Sequence, residues 1–131
     1  DTNVLVYAND HSEPKRQKQA RHLIEEAFTS GAGCLSTQVL QEFYVAVTRK
    51  LGVETTNARA QVVRLGELDT VLVDRDLVVA AIDLQIIARL SFWDALIVKA
   101  ASSSGCRRLF TEDLSHGQIV DGIEIRNPFA S

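Results

Sequence analysis

Apolar residues recur at helical spacing in several stretches of the chain, with short β-branched runs between them. From Lys15 to Phe28, the residues Ala20, Leu23, Ile24, Ala27 and Phe28 share one face and charged residues fill the other. This pattern predicts an amphipathic helix, with Pro14 in its first turn and Gly31 and Gly33 ending it. Gly33 to Ser36 reads as a short strand, followed by a helix capped at Ser36 or Thr37 that runs to Lys50, with Gly52 marking its end. A third helix is predicted over Asn57 to Leu68, on a thin apolar stripe. Thr70 to Val73 is compact and β-branched, a buried strand. Asp76 then caps a helix whose Leu77, Ala80, Ala81, Leu84 and Ala88 lie on one side. Ser91 opens a helix through Ser103, Gly105 stops it, and Arg107 to Phe110 forms a strand leading into Thr111-Glu112-Asp113. Ile119 to Val120 and Ile123 to Ile125 flank a turn at Asp121-Gly122.

Strands alternating with helices predict an α/β fold with a mainly parallel sheet. At 131 residues and 46% hydrophobic composition, the chain has enough apolar surface for one core, so residues 1–131 are expected to form one soluble domain. The apolar runs Leu77 to Ile82 and Ala95 to Val98 are too short to cross a bilayer, and no basic-then-apolar leader precedes them. A cytoplasmic protein with no membrane partner is expected. Cys34 and Cys106 lack CxxC spacing and each follows a glycine, so both are expected to be small buried hydrophobes rather than a disulfide.

The net charge of −3 excludes bulk attraction to phosphates, so any nucleic-acid contact must use local basic groups. Lys15, Arg16, Lys18, Arg21, Arg49, Lys50, Arg107 and Arg108 are the candidates; each reads first as a solvated helix or strand end.

The acids carry more information. Asp1, Glu42, Asp94 and Asp113 stand where apolar sequence meets a turn or a helix start, with no fixed basic partner. Two like charges about 4 Å apart repel by about 4 kcal/mol at an effective dielectric near 20. Converging carboxylates therefore need shared protons or a cation, and Mg²⁺ or Mn²⁺ suits oxygen ligands. Glu42 borders an apolar helix face, with Gln38, Val39, Val45 and Ala46 as neighbours. Asp94 has a competing explanation, because Ser91-Phe92-Trp93-Asp94 matches a capping box. Asp113 follows its strand by a few residues, where ligands sit in open parallel sheets, although it could also start the turn to Gly117. Glu112 is expected to face solvent, and His116 could approach the pocket, but without further ligands it carries little weight as a zinc site.

No Gly-rich phosphate loop, nucleophile elbow or H-E-x-x-H stretch is present, and Ser102, Ser103 and Ser104 have no adjacent histidine. A receiver-like phosphoacceptor domain would use Asp74 after Val73, but it needs a lysine after a late strand, where this chain has Thr111-Glu112-Asp113.

Asp1-Thr2-Asn3, Thr37-Gln38-Val39-Leu40-Gln41-Glu42-Phe43, Ser91-Phe92-Trp93-Asp94-Ala95-Leu96-Ile97 and Thr111-Glu112-Asp113-Leu114 resemble, in order and context, the four acidic motifs of PIN-domain ribonucleases. Gly117-Gln118 and Asn127-Pro128-Phe129 extend the likeness, which within that superfamily is greatest to VapC-type toxins of toxin–antitoxin pairs. The resemblance implies a three-layer α/β/α sandwich and a Mg²⁺-dependent endoribonuclease, for which Mn²⁺ is a possible substitute. It also implies a homodimer with an RNA substrate and a small inhibitory antitoxin. Carried over by motif, Asp1, Asp94 and Asp113 would hold the metal, Glu42 would complete the catalytic cluster, and Asn3 and Thr111 would orient it. A non-catalytic RNA- or partner-binding module on the same fold is the alternative. In the family a strand precedes the first motif. Here Asp1 opens a chain without methionine, so that strand and the initiator are expected to be missing from it.

Overall fold

The computed structural model describes residues 1–130. The elements in chain order are α1 (Thr2–Val6), a 3₁₀ turn (Tyr7–Asn9), α2 (Pro14–Ser30), β1 (Cys34–Ser36), α3 (Thr37–Arg49), α4 (Thr55–Leu65) and β2 (Asp69–Val71). They continue as α5 (Arg75–Ala88), α6 (Phe92–Ser103), β3 (Arg108–Phe110), β4 (Ile119–Val120) and β5 (Ile123–Arg126). β1 pairs with β2 in parallel, β3 pairs with β5 in parallel, and β4 pairs with β5 antiparallel. Helices cover both faces of these strands, giving the three-layer α/β/α arrangement of a PIN-like fold.

Local chemistry explains the boundaries. Ser36 ends β1 and caps α3 by accepting from the Val39 N–H at 3.3 Å, so strand passes to helix without a loop. Asp74, not Asp76, caps α5, accepting from the Leu77 N–H at 2.9 Å, while Asp76 lies in the first turn. The reason is that β2 stops at Val71, leaving Leu72 70% exposed, and the helix starts earlier than its apolar face implies. α4 likewise spans Thr55–Leu65 rather than 57–68. The β4–β5 turn has positive φ at both Asp121 (51°) and Gly122 (76°), the two-residue geometry that matches strand twist. A Cβ at Gly33 would lie 2.5 Å from the Ala27 Cβ, so glycine lets α2 pack against the entry to β1.

One side of the strands is packed by Phe43, Val47, Ala58 and Leu65, joined by Ile24, Phe28 and Leu35; these tie α2, α3 and α4 to β1. On the other side, Leu77, Ala81, Leu96 and Ala100 seat α5 on α6 beside Val71. Val98, Leu109, Ile123 and Ile125 bind α6 to the second sheet. Small residues such as Ala81 and Ala95, both fully buried, allow the close helix approach.

The strands fall into two sheets, ordered β1-β2 and β3-β5-β4. Among the described residues no strand lies between β1 and β3, and both line an apolar slot of about 780 Å³, together with Leu23, Val71 and Ile97. The Asp1 nitrogen donates to the Phe110 carbonyl at 2.9 Å at the margin of this slot. Cys34 and Cys106 also line it, and contrary to the expectation of two separate thiols they form a disulfide across 72 residues. The reason is topological: Cys34 opens β1 and Cys106 lies two residues before β3, so the fold brings the two half-buried side chains together from opposite sides of the slot.

Phe43 anchors the α3 core at 1% exposure. Replacing it with alanine is expected to cost about 3–5 kcal/mol, read as a lower urea midpoint at unchanged m-value.

Candidate active site

Asp1, Glu42, Asp94 and Asp113 line a single open groove of about 690 Å³, although they come from α1, α3, α6 and the segment after β3. Asp1 is the N-cap of α1: its Oδ1 accepts from the Asn3 N–H at 2.9 Å. Its Oδ2 accepts from the Thr111 hydroxyl at 2.5 Å, within the range of a charge-assisted O–H···O⁻ bond. The Asp113 N–H donates to the same Thr111 Oγ1 at 3.1 Å, so one hydroxyl at 2% exposure fixes both ends of the acidic set. Thr2, the neighbour of Asp1, donates from Oγ1 to Glu42 Oε1 at 2.8 Å.

Asp94 sits in the first turn of α6. Its backbone N–H donates to Ser91 Oγ at 3.1 Å, so Ser91 caps the helix. Among the described residues the Asp94 carboxylate returns no hydrogen bond to Ser91, and the capping box is only half made. The helix start therefore does not use this charge through a reciprocal bond, and the carboxylate is left to the groove. Among the described residues none of the four acids forms an ion pair with Lys, Arg or His.

Other positions depart from expectation. Glu112 does not face free solvent: its carboxylate takes Arg16 at 2.7 Å and the Tyr7 hydroxyl at 2.9 Å, and its side chain is 20% exposed. His116 accepts the Asn127 N–H at 3.0 Å and fastens the C-terminal loop instead of lining the groove. Asp74 is occupied as a cap and is also outside the groove, which removes the phosphoacceptor reading. Asn3 lines the groove but supports Asp1 through its backbone N–H; Thr2, unmarked in the sequence reading, supplies the side-chain bond.

Arg49 and Lys50 line the same groove without a carboxylate partner among the described residues. The signal was helical spacing: Glu42, Val45, Ala46, Arg49 and Lys50 follow i, i+3, i+4, i+7, i+8 along α3.

Among the described residues no three His, Cys, Asp or Glu side chains are close enough to enclose a metal ion. The donor set nonetheless fits a hard cation. All four groups offer oxygen, none is neutralised by a base, and Mg²⁺ keeps several waters while taking only one or two carboxylates directly.

The PIN domain family model matches residues 1–120, and the chain belongs to this family. PIN domains are in general nucleases that use divalent metals. Comparison with curated proteins gives no match.

Asp94→Asn separates a groove charge from a helix-start charge. In metal-free buffer the variant is expected to melt at the same temperature as the native chain or higher, because repulsion is relieved. A purely dipolar role would instead lower stability by up to about 1 kcal/mol.

Proposed function

We propose that this chain is a Mg²⁺-dependent endoribonuclease, acting in the cytoplasm as the toxin of a VapC-type toxin–antitoxin pair, with residues 1–131 forming one catalytic domain. The observation that carries the reading is the single groove lined by four acids that no base neutralises, in a PIN domain. In this reading Asp1, Asp94 and Asp113 hold the cation, and Glu42 completes the set through water. When bound, the cation supplies an activated water and charge neutralisation at the scissile phosphate. Thr111 keeps Asp1 and the Asp113 backbone in register, and the Asn3 N–H holds the second Asp1 oxygen. Thr2 restrains Glu42, which would otherwise rotate freely on an exposed helix face. The products would be a 5′-phosphate and a 3′-hydroxyl. No side-chain nucleophile is required.

Retained carboxylates support catalysis over a purely binding role, since a binding module gains nothing from a repulsive acidic groove. An antitoxin would silence the site by placing an arginine among these carboxylates, a bidentate pairing that competes with the cation. Homodimerisation is supported by α5, whose Val79, Ile82 and Ile86 are 52%, 42% and 72% exposed at i, i+3, i+7 spacing.

Incubation with total cellular RNA is expected to give cleavage with Mg²⁺, none with chelator, and partial or full activity with Mn²⁺. Asp94→Asn and Asp113→Asn should each lose on the order of a hundredfold or more in rate, since even the groups that support a metal ligand are worth about 10- to 100-fold. Metal-independent cleavage, or full activity in both variants, would overturn the reading.

A further inference from the structure

The nuclease reading leaves the aromatic and basic residues of the groove unused. Trp93, the only tryptophan in the chain, lines the acidic groove immediately before Asp94 and is 60% exposed. Its position on α6 fixes it well. Ser91 caps the helix, Ala95 and Leu96 just beyond are buried, and Phe92 packs edge-on against the indole with centroids 5.1 Å apart at 74°. An edge contact leaves the faces of the indole open. An indole open on the wall of a charged groove offers a flat apolar face to a ligand in that groove. Across the groove, α3 presents Arg49 and Lys50, both exposed and neither engaged by a carboxylate among the described residues. Each half of the arrangement matches one half of a nucleotide: an aromatic face for a base and free cations for its flanking phosphates.

We propose that Trp93 is the stacking platform for an unpaired base next to the scissile phosphate, with Arg49 and Lys50 seating neighbouring phosphates. The proposal rests on the nuclease reading of the same groove. A duplex keeps its bases stacked on each other and cannot offer a free face to Trp93 without unpairing, so single strands and loops are selected. The local cations also explain how a chain of net charge −3 can bind a polyanion: attraction is confined to the end of α3, and the acids of the groove are screened once a cation is bound.

The test uses a labelled unstructured RNA oligonucleotide and its duplex, with Ca²⁺ replacing Mg²⁺ to screen the carboxylates. The single strand is expected to quench the lone tryptophan in a saturable way, and the duplex to quench it far less. By anisotropy, Trp93→Ala should bind the single strand about tenfold to a hundredfold more weakly, the scale of one lost base stack. Trp93→Phe should recover most of the binding, because an aromatic face is what is needed. Arg49→Gln with Lys50→Gln should flatten the salt dependence by about 0.7 per lost phosphate contact. Since Trp93 is largely exposed, circular dichroism of Trp93→Ala should match the native chain. If Trp93→Ala binds and cuts single strands like the native chain, the stacking role is wrong and the nuclease reading stands. Equal binding of duplex, or a Trp93→Ala defect confined to self-association in sedimentation, would also overturn it. Absence of RNA cleavage by the native chain in any divalent metal would instead remove the nuclease reading, and this proposal with it.

Discussion

Two adjacent residues at the start of the chain hold the acidic groove together. Asp1 accepts the Thr111 hydroxyl, which ties α1 to the end of β3, and Thr2 donates to Glu42, which ties α1 to α3. Thr111 and Thr2 are both buried, so each hydroxyl is held in place for its bond to the carboxylate. Four negative groups resist being brought together, and covalent neighbours directed to opposite walls are a short way to impose it.

The apolar layers supply the force that these polar bonds direct. α3 cannot rotate Glu42 away from the groove without lifting Phe43 and Val47 out of their core. α6 likewise cannot withdraw Asp94 without exposing Ala95, Leu96 and Val98. Each helix therefore carries its chemistry on the face next to its buried stripe, and burial stabilises the placement of charge. Local caps refine the result: Ser36 and Ser91 set where α3 and α6 begin, and hence which way their second turns point.

Much of this was legible in the sequence because helix periodicity and capping are local. The order of strands and helices, the Ser91 cap and the Asp121-Gly122 turn follow from residues close together in the chain. What was not legible depended on through-space contact. Asp74 and Asp76 are equally good caps on paper, and only the early end of β2 decides between them. Thr2 looks like an ordinary residue until Glu42, forty positions away, is placed beside it. Glu112 seems to belong to solvent until Arg16 and Tyr7 converge on it. Cys34 and Cys106 lack any spacing motif because their proximity arises between the first residue of β1 and the loop before β3. The four acids could be picked out because they broke the apolar pattern with no base nearby, a property visible in one dimension.

The clasp at Asp1 and Thr2 has a mechanical consequence. Glu42 rides on α3, whereas Asp113 follows β3, and adjacent residues at the start of α1 link the two through the Thr2–Glu42 and Asp1–Thr111 bonds. Carboxylate spacing is thus governed like the jaws of a caliper, by how far α3 and the end of β3 stand apart. A change in the packing of either element would be felt as a change in charge separation at the surface groove.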